Sequence, residues 1–117
     1  MSKLPVLFVF FILFVPFVVA KMDIVVSYDV NTLTKEGRRR LRRVAKVCTA
    51  YGQRVQFSVF ECTVSEVDFT RLKQRLLAEI EKDEDSLRIF HLPGGREKVV
   101  ESFGRDHYID FTEPLIL

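Results

Sequence analysis

A run of apolar residues ending in a lone charge constrains this chain more than any other feature. Met22-Asp23-Ile24-Val25-Val26-Ser27-Tyr28-Asp29-Val30-Asn31 is β-branched in its middle and carries five apolar residues in its first nine. That pattern reads as a short strand buried on both faces. Asp29 sits at its tip, just before a Thr-rich turn. A carboxylate in that place either initiates the turn by bonding the backbone beyond it or binds something.

The rest of the chain supplies partners for such a strand. Asn31-Thr32-Leu33-Thr34 offers turn and N-cap chemistry to an amphipathic helix. Leu41, Val44, Ala45, Cys48 and Tyr51 share one face of it at i, i+3, i+4, i+7 and i+10, and Arg38, Arg39, Arg42, Arg43 and Lys46 share the other. Gly52 is placed to stop it. Gln53 to Cys62 then alternates, with Val55, Phe57 and Val59 on one side and Arg54, Gln56, Ser58 and Phe60 on the other. This predicts a strand that kinks near Phe60 and continues through Cys62-Thr63-Val64. Ser65 and Asp68 make a capping-box-like start to a second helix over about 66–82, with Phe69, Leu72, Leu76, Leu77 and Ile80 inward. Its outer charges balance, as on a solvated face. Ser86 to Leu92 predicts another strand, ended by Pro93-Gly94-Gly95, and His107 to Phe111 a last short one.

That order specifies an α+β fold, a ferredoxin-like sandwich with an antiparallel sheet and two helices on one face. The open face must be solvated, covered or used for association. Phe60 and the apolar tail over 112–117 point to association as a two-fold homodimer.

Charge narrows the partners. The chain has 117 residues with Lys+Arg 18 against Asp+Glu 16, a net charge of +2 that is too weak by itself to argue for nucleic acid. The distribution says more. Between Thr34 and Tyr51 there are seven bases (Lys35, Arg38, Arg39, Arg40, Arg42, Arg43, Lys46) and one acid, Glu36. A face so self-repulsive suits phosphate contact better than solvation alone, with binding that weakens steeply with salt and depends little on sequence.

Residues 1–21 stand apart from the domain at 22–117. Leu4 to Ala20 is almost wholly apolar, with Lys3 ahead of it and Val18-Val19-Ala20 behind. It resembles a signal peptide and is barely long enough to span a bilayer. The alternative is a misplaced start, with Met22, which opens the first strand directly, as the working initiator. Cys48 and Cys62 show no metal spacing and each falls in a patterned apolar segment, so two reduced, buried thiols are expected.

Among the chemical candidates, Asp29 as a metal ligand is weighed against Asp29 as a turn initiator. Mg²⁺ keeps several waters and often uses only one or two carboxylates with substrate phosphate, and two-fold symmetry would bring a second copy. His91 and His107 lack ligand partners, and Pro93-Gly94-Gly95 lacks the Lys-Ser/Thr of a phosphate-binding loop.

Ile24-Val25-Val26-Ser27-Tyr28-Asp29-Val30, the basic helix ending near Gly52, and Arg54-Val55-Gln56-Phe57-Ser58-Val59-Phe60-Glu61-Cys62 together resemble the small CRISPR-associated nuclease of spacer acquisition, the Cas-two family. The likeness covers about residues 22 to 111. It implies a ferredoxin-like homodimer in which each chain's Asp29 faces its partner and binds a shared Mg²⁺, with the last strand crossing to the other subunit. It implies metal-dependent endonuclease activity on RNA or duplex DNA, with antiviral spacer acquisition as the setting. The alternative that it implies is a non-catalytic, duplex-binding centre of an integrase complex with the family's larger partner nuclease. By the same likeness Ser58, Phe60 and Glu61 lie near the dimer seam, and the protein is cytoplasmic.

Overall fold

The computed structural model describes residues 20–105 and 108–109. Nearly all of the apolar N-terminal run, His107 and the 112–117 tail lie outside the described residues. So does most of the strand expected over 107–111.

Seven elements follow in order: β1 (Lys21–Asp29), α1 (Lys35–Tyr51), β2 (Gly52–Gln56), β3 (Val59–Ser65), α2 (Glu66–Glu79), β4 (Ser86–Leu92) and a single turn of helix, α3 (Arg96–Val99). The sheet order is β2-β3-β1-β4 with every neighbouring pair antiparallel. This is the ferredoxin-like sandwich that the element order predicts.

β1 is central but buried on one face only. Ile24, Val26 and Tyr28 are buried, while the intervening Val25 and Ser27 are half-buried. Both long helices cover the same side of an antiparallel sheet, which leaves the other side partly solvated. The apolar core joins that face of β1 to Phe60, Cys62 and Val64 of β3, Val44, Val47 and Cys48 of α1, and Leu72 and Leu76 of α2.

The stretch after α1 departs from its alternating pattern. It is a hairpin with a tight turn at Phe57-Ser58, and its register shifts between Arg54 and Gln56. The extra residue, Val55, interrupts the alternation within β2 and puts Gln56 opposite Val59. Phe60 lies directly opposite Arg54 across the hairpin and points inward with 1% of its surface exposed, while Phe57 is the aromatic left outside at 78%. In α2, Leu77 is likewise an outward residue, and the helix stops at Glu79, shorter than its periodicity suggests.

Caps follow the sequence closely. The Thr34 hydroxyl accepts from the Gly37 amide at 3.0 Å, and Ser65 accepts from the Asp68 amide at 3.2 Å. Gly52 ends α1 in extended backbone, and its value is close approach: a side chain there would collide with Cys62 Sγ and the Glu61 carbonyl oxygen. Gly37 is similar, since an added Cβ would overlap the Asn31 carbonyl oxygen. Gly37→Ala, ordinarily favourable inside a helix, is therefore expected to destabilise the chain by about 1–3 kcal/mol, read from urea unfolding midpoints.

A buried ion pair joins α1 to the loop before β4. Arg40 donates through Nε to Asp85 Oδ2 at 2.9 Å and through Nη2 to Asp85 Oδ1 at 3.2 Å and Glu84 Oε2 at 3.1 Å. The Asp85 side chain is fully enclosed, and it also accepts from the amides of Asn31 (3.0 Å) and Glu81 (2.8 Å). One of the seven bases in the basic run is thus structural.

Cys48 and Cys62 are both free and buried. Burial pushes the Cys48 thiol up to about 12 and the Cys62 thiol up to about 11. Neither is expected to react with iodoacetamide at pH 8 in the folded protein, whereas both react in denaturant; mass spectrometry counts the adducts.

A candidate active site at the end of the first strand

β1 delivers Asp29 to its last position, opposite Ser86 of β4. The carboxylate is exposed and, among the described residues, has no hydrogen bond or ion pair. The turn-initiating duty that could have claimed it is met by others. Asn31 Oδ1 accepts from the Leu33 amide at 3.0 Å, Thr34 caps α1, and Asp85 takes the Asn31 amide. Asp29 is left without a structural task.

The neighbours of Asp29 are well fixed. The Tyr28 amide donates to the Ser58 carbonyl oxygen at 3.1 Å, which ties the β2–β3 turn to the end of β1. Ser58 thus belongs to the turn, with its backbone carbonyl engaged. The Tyr28 ring stacks on Phe60 at 6.2 Å, and its buried hydroxyl makes no well-formed hydrogen bond. Burial pushes that phenol above its ordinary range, while the Arg54 guanidinium nearby works in the opposite direction. Arg54 itself lies over the Phe57 ring (5.9 Å) and the Phe60 ring (5.1 Å). Sequence periodicity alone gave no reason to select Arg54.

The other expected site residues fall into separate layers. Arg38, Arg39, Arg42, Arg43 and Lys46 are exposed on α1. Arg38 donates to the Thr32 carbonyl oxygen at 3.1 Å, beside the turn after Asp29. Arg43 is engaged by Glu79 at 2.8 Å and Glu36 at 3.2 Å, which raise the pKa of its guanidinium still further. Arg42 and Lys46 have no acidic partner among the described residues. Strand alternation puts Asp29 on the sheet's open face, whereas α1 lies on the face of Ile24, Val26 and Tyr28. The basic helix and the carboxylate are therefore not brought together in one chain.

Glu61 does lie on the open face and is buried there by an ion pair with Arg96. Arg96 also stacks over the Tyr108 ring at 3.7 Å, and its amide donates to Asp23 at 2.8 Å. Gln53 pairs through its side-chain amide with the backbone of Ile109, at 2.6 and 2.8 Å. The segment after β4 thus folds back over the open face and leaves a cavity of about 420 Å³ between Val25, Val59, Glu61, Val100 and Phe103. Phe60, in contrast, is a core residue on the helix side.

No cluster of three or more His, Cys, Asp or Glu able to hold a metal exists among the described residues. No helix among them is long and apolar enough to cross a membrane.

Comparison with known proteins gives these positions a context. The family model for CRISPR associated protein Cas2 matches residues 22–98. The CRISPR-associated endoribonuclease Cas2 1 of Moorella thermoacetica is 50% identical over 96 residues, covering 82% of this chain and 100% of that protein. The CRISPR-associated endonuclease Cas2 of Halalkalibacterium halodurans is 46% identical over 95 residues, covering 81% of this chain and 99% of its own. The crystal structure of Streptococcus pyogenes Cas2 at pH 6.5 superposes with a TM-score of 0.64 at 49% identity, over 71% of this chain and 100% of that one. With half of the aligned residues shared along the full length of a relative and the same fold beneath them, this chain belongs to the Cas2 family of CRISPR-associated proteins.

Proposed function

We propose that this chain is a CRISPR nuclease that hydrolyses phosphodiester bonds of RNA or duplex DNA in spacer acquisition, using Mg²⁺ held by Asp29. The observation that carries the reading is the Asp29 carboxylate itself, exposed at the end of a rigid central strand with its structural alternatives already taken. Relatives that share about half of their residues with it are named as an endoribonuclease and an endonuclease, and those activities fit one hydrated hard cation beside a phosphate.

The donor set fits such an ion when two chains contribute. One carboxylate per chain is few, and a two-fold axis doubles it. Phe90, on the open face of β4, is 48% exposed and offers apolar surface for that pairing. When bound, Mg²⁺ supplies positive charge against the scissile phosphate and makes a water acidic enough to attack it. This chain's own part is placement. β1 fixes Asp29, the turn at Ser58 fixes Tyr28 beside it, and the outer face of α1 (Arg38, Arg39, Arg42, Lys46) grips backbone phosphates away from the cleavage point. A larger CRISPR integrase nuclease is the partner that this reading expects.

The test is an Asp29→Asn chain assayed in Mg²⁺ for RNA and duplex cleavage, duplex binding and spacer integration. Cleavage at the wild-type rate sinks the reading. Lost cleavage with intact binding supports it, and unchanged integration in that variant assigns the biological role to duplex binding rather than to hydrolysis.

A further inference from the structure

Sheet register puts one more cation beside Asp29. β4 runs antiparallel to β1 with Arg88 opposite Ser27 and Ser86 opposite Asp29. Alternation places all four side chains on the open face. Arg88 and Asp29 are then diagonal neighbours on adjacent strands, a spacing of about 7–8 Å between backbones that a long side chain spans.

Arg88 is exposed, and among the described residues it has no hydrogen bond, ion pair or ring contact. Most arginines of the chain are differently placed. Arg38, Arg40, Arg43, Arg54 and Arg75 each hold a carbonyl, a carboxylate or a ring. Arg42 and Arg71, exposed on the helices, lie on the other side of the sheet from Asp29. A phosphate held at Asp29 through a cation needs its remaining charge met from the protein, and the basic face of α1 is on the wrong layer to meet it. A guanidinium offers two parallel N–H donors to two phosphate oxygens, the geometry best suited to that task. The bland alternative is that Arg88 guards the edge strand β4 against unwanted pairing, as edge charges often do. Such a role predicts no change in nucleic-acid affinity.

We propose that Arg88 contacts the scissile phosphate on the open face, across from the Asp29 carboxylate, and is a catalytic residue of this site. Its catalytic part rests on the Asp29 reading; its phosphate contact is measurable without it.

The experiment uses the full chain as Arg88→Ala and Arg88→Lys, with Asp29→Asn in parallel. Binding to a short duplex and to single-stranded RNA is measured in EDTA across a salt series, and single-turnover cleavage in Mg²⁺ at saturating protein. For Arg88→Ala the salt slope is expected to fall by about 0.9 on duplex and about 0.7 on single strands, the loss of one phosphate contact. The saturating rate is expected to fall about 100-fold, the scale for removing one donor from a developing charge. Arg88→Lys restores the slope but not the rate, because an ammonium lacks the planar fork. An unchanged slope in Arg88→Ala overturns this proposal, as does a shift in sedimentation to separated chains with the slope intact. A wild-type cleavage rate in Asp29→Asn overturns the Asp29 reading and leaves the slope to judge Arg88. If Arg88→Ala melts early, the Lys variant decides: wild-type rate and slope together overturn the proposal.

Discussion

Cleavage by the Asp29→Asn chain is expected to fall about 100-fold or more, while its melting temperature stays within about 2 °C of wild type. The two halves of that expectation come from the same observation. Asp29 accepts no hydrogen bond among the described residues, so an amide of the same shape removes charge and little else. The turn beyond it is secured by Asn31 Oδ1 on the Leu33 amide and by Asp85 on the Asn31 amide. A variant at Asn31 is the contrast. Asn31→Ala loses a turn bond beside the same strand end and is expected to cost stability of about 1 kcal/mol. Stopped-flow or gel-based cleavage together with thermal melts separates the two effects. A large drop in melting temperature for Asp29→Asn would show that the carboxylate has a structural role.

Asp85→Ala is expected to lower the melting temperature by about 10 °C or more, the largest stability effect of any polar change in this fold. Asp85 is enclosed on all sides and accepts four bonds, two from Arg40 and one each from the amides of Asn31 and Glu81. Its removal strands a guanidinium and two amides at once. The pH dependence is specific as well. Burial by itself raises the Asp85 pKa, but the Arg40 guanidinium and the Glu81 and Asn31 amides outweigh it and hold the carboxyl below the ordinary carboxylate range. A carboxyl depressed in the folded state contributes stability that is complete above its unfolded value, about 3.9, and that is lost as pH falls through the folded value. The wild type should therefore lose stability steeply below about pH 4. Asp85→Asn, weaker at pH 7, should show a flatter acid limb in the same melts.

The elements that local pattern defines are those that the sequence made legible. Ser86–Leu92 is the strand expected, Ser65 is the cap expected, and Leu72 and Leu76 are the buried pair of α2. The β2–β3 hairpin was not legible, because its turn is Phe57-Ser58, without the Asn-Gly or Asp-Gly signal that marks a tight turn. Its alternation pairs Phe60 with Arg54 on one face but does not say which face meets the helices, so Phe60 read as outward when it belongs to the core. Arg40 and Asp85 are 45 residues apart in the chain. Each looks like an ordinary surface charge until tertiary contact makes them a buried pair. At the site, strand periodicity was enough to put Asp29 at the tip of β1. It could not show that Asn31, Thr34 and Asp85 had already relieved Asp29 of turn duty, nor that the arginines of α1 stand on the opposite layer.

That separation of layers has an evolutionary side. Among the described residues the α1 arginines and the Asp29 carboxylate share no side chain and no hydrogen bond, so under the proposed function a substitution on α1 leaves the strand end intact. Selection can discard hydrolysis without weakening attachment, or retune attachment without touching hydrolysis. A fold arranged this way can change its occupation by single substitutions, and descendants of one ancestor can serve as cutter or clamp on the same frame.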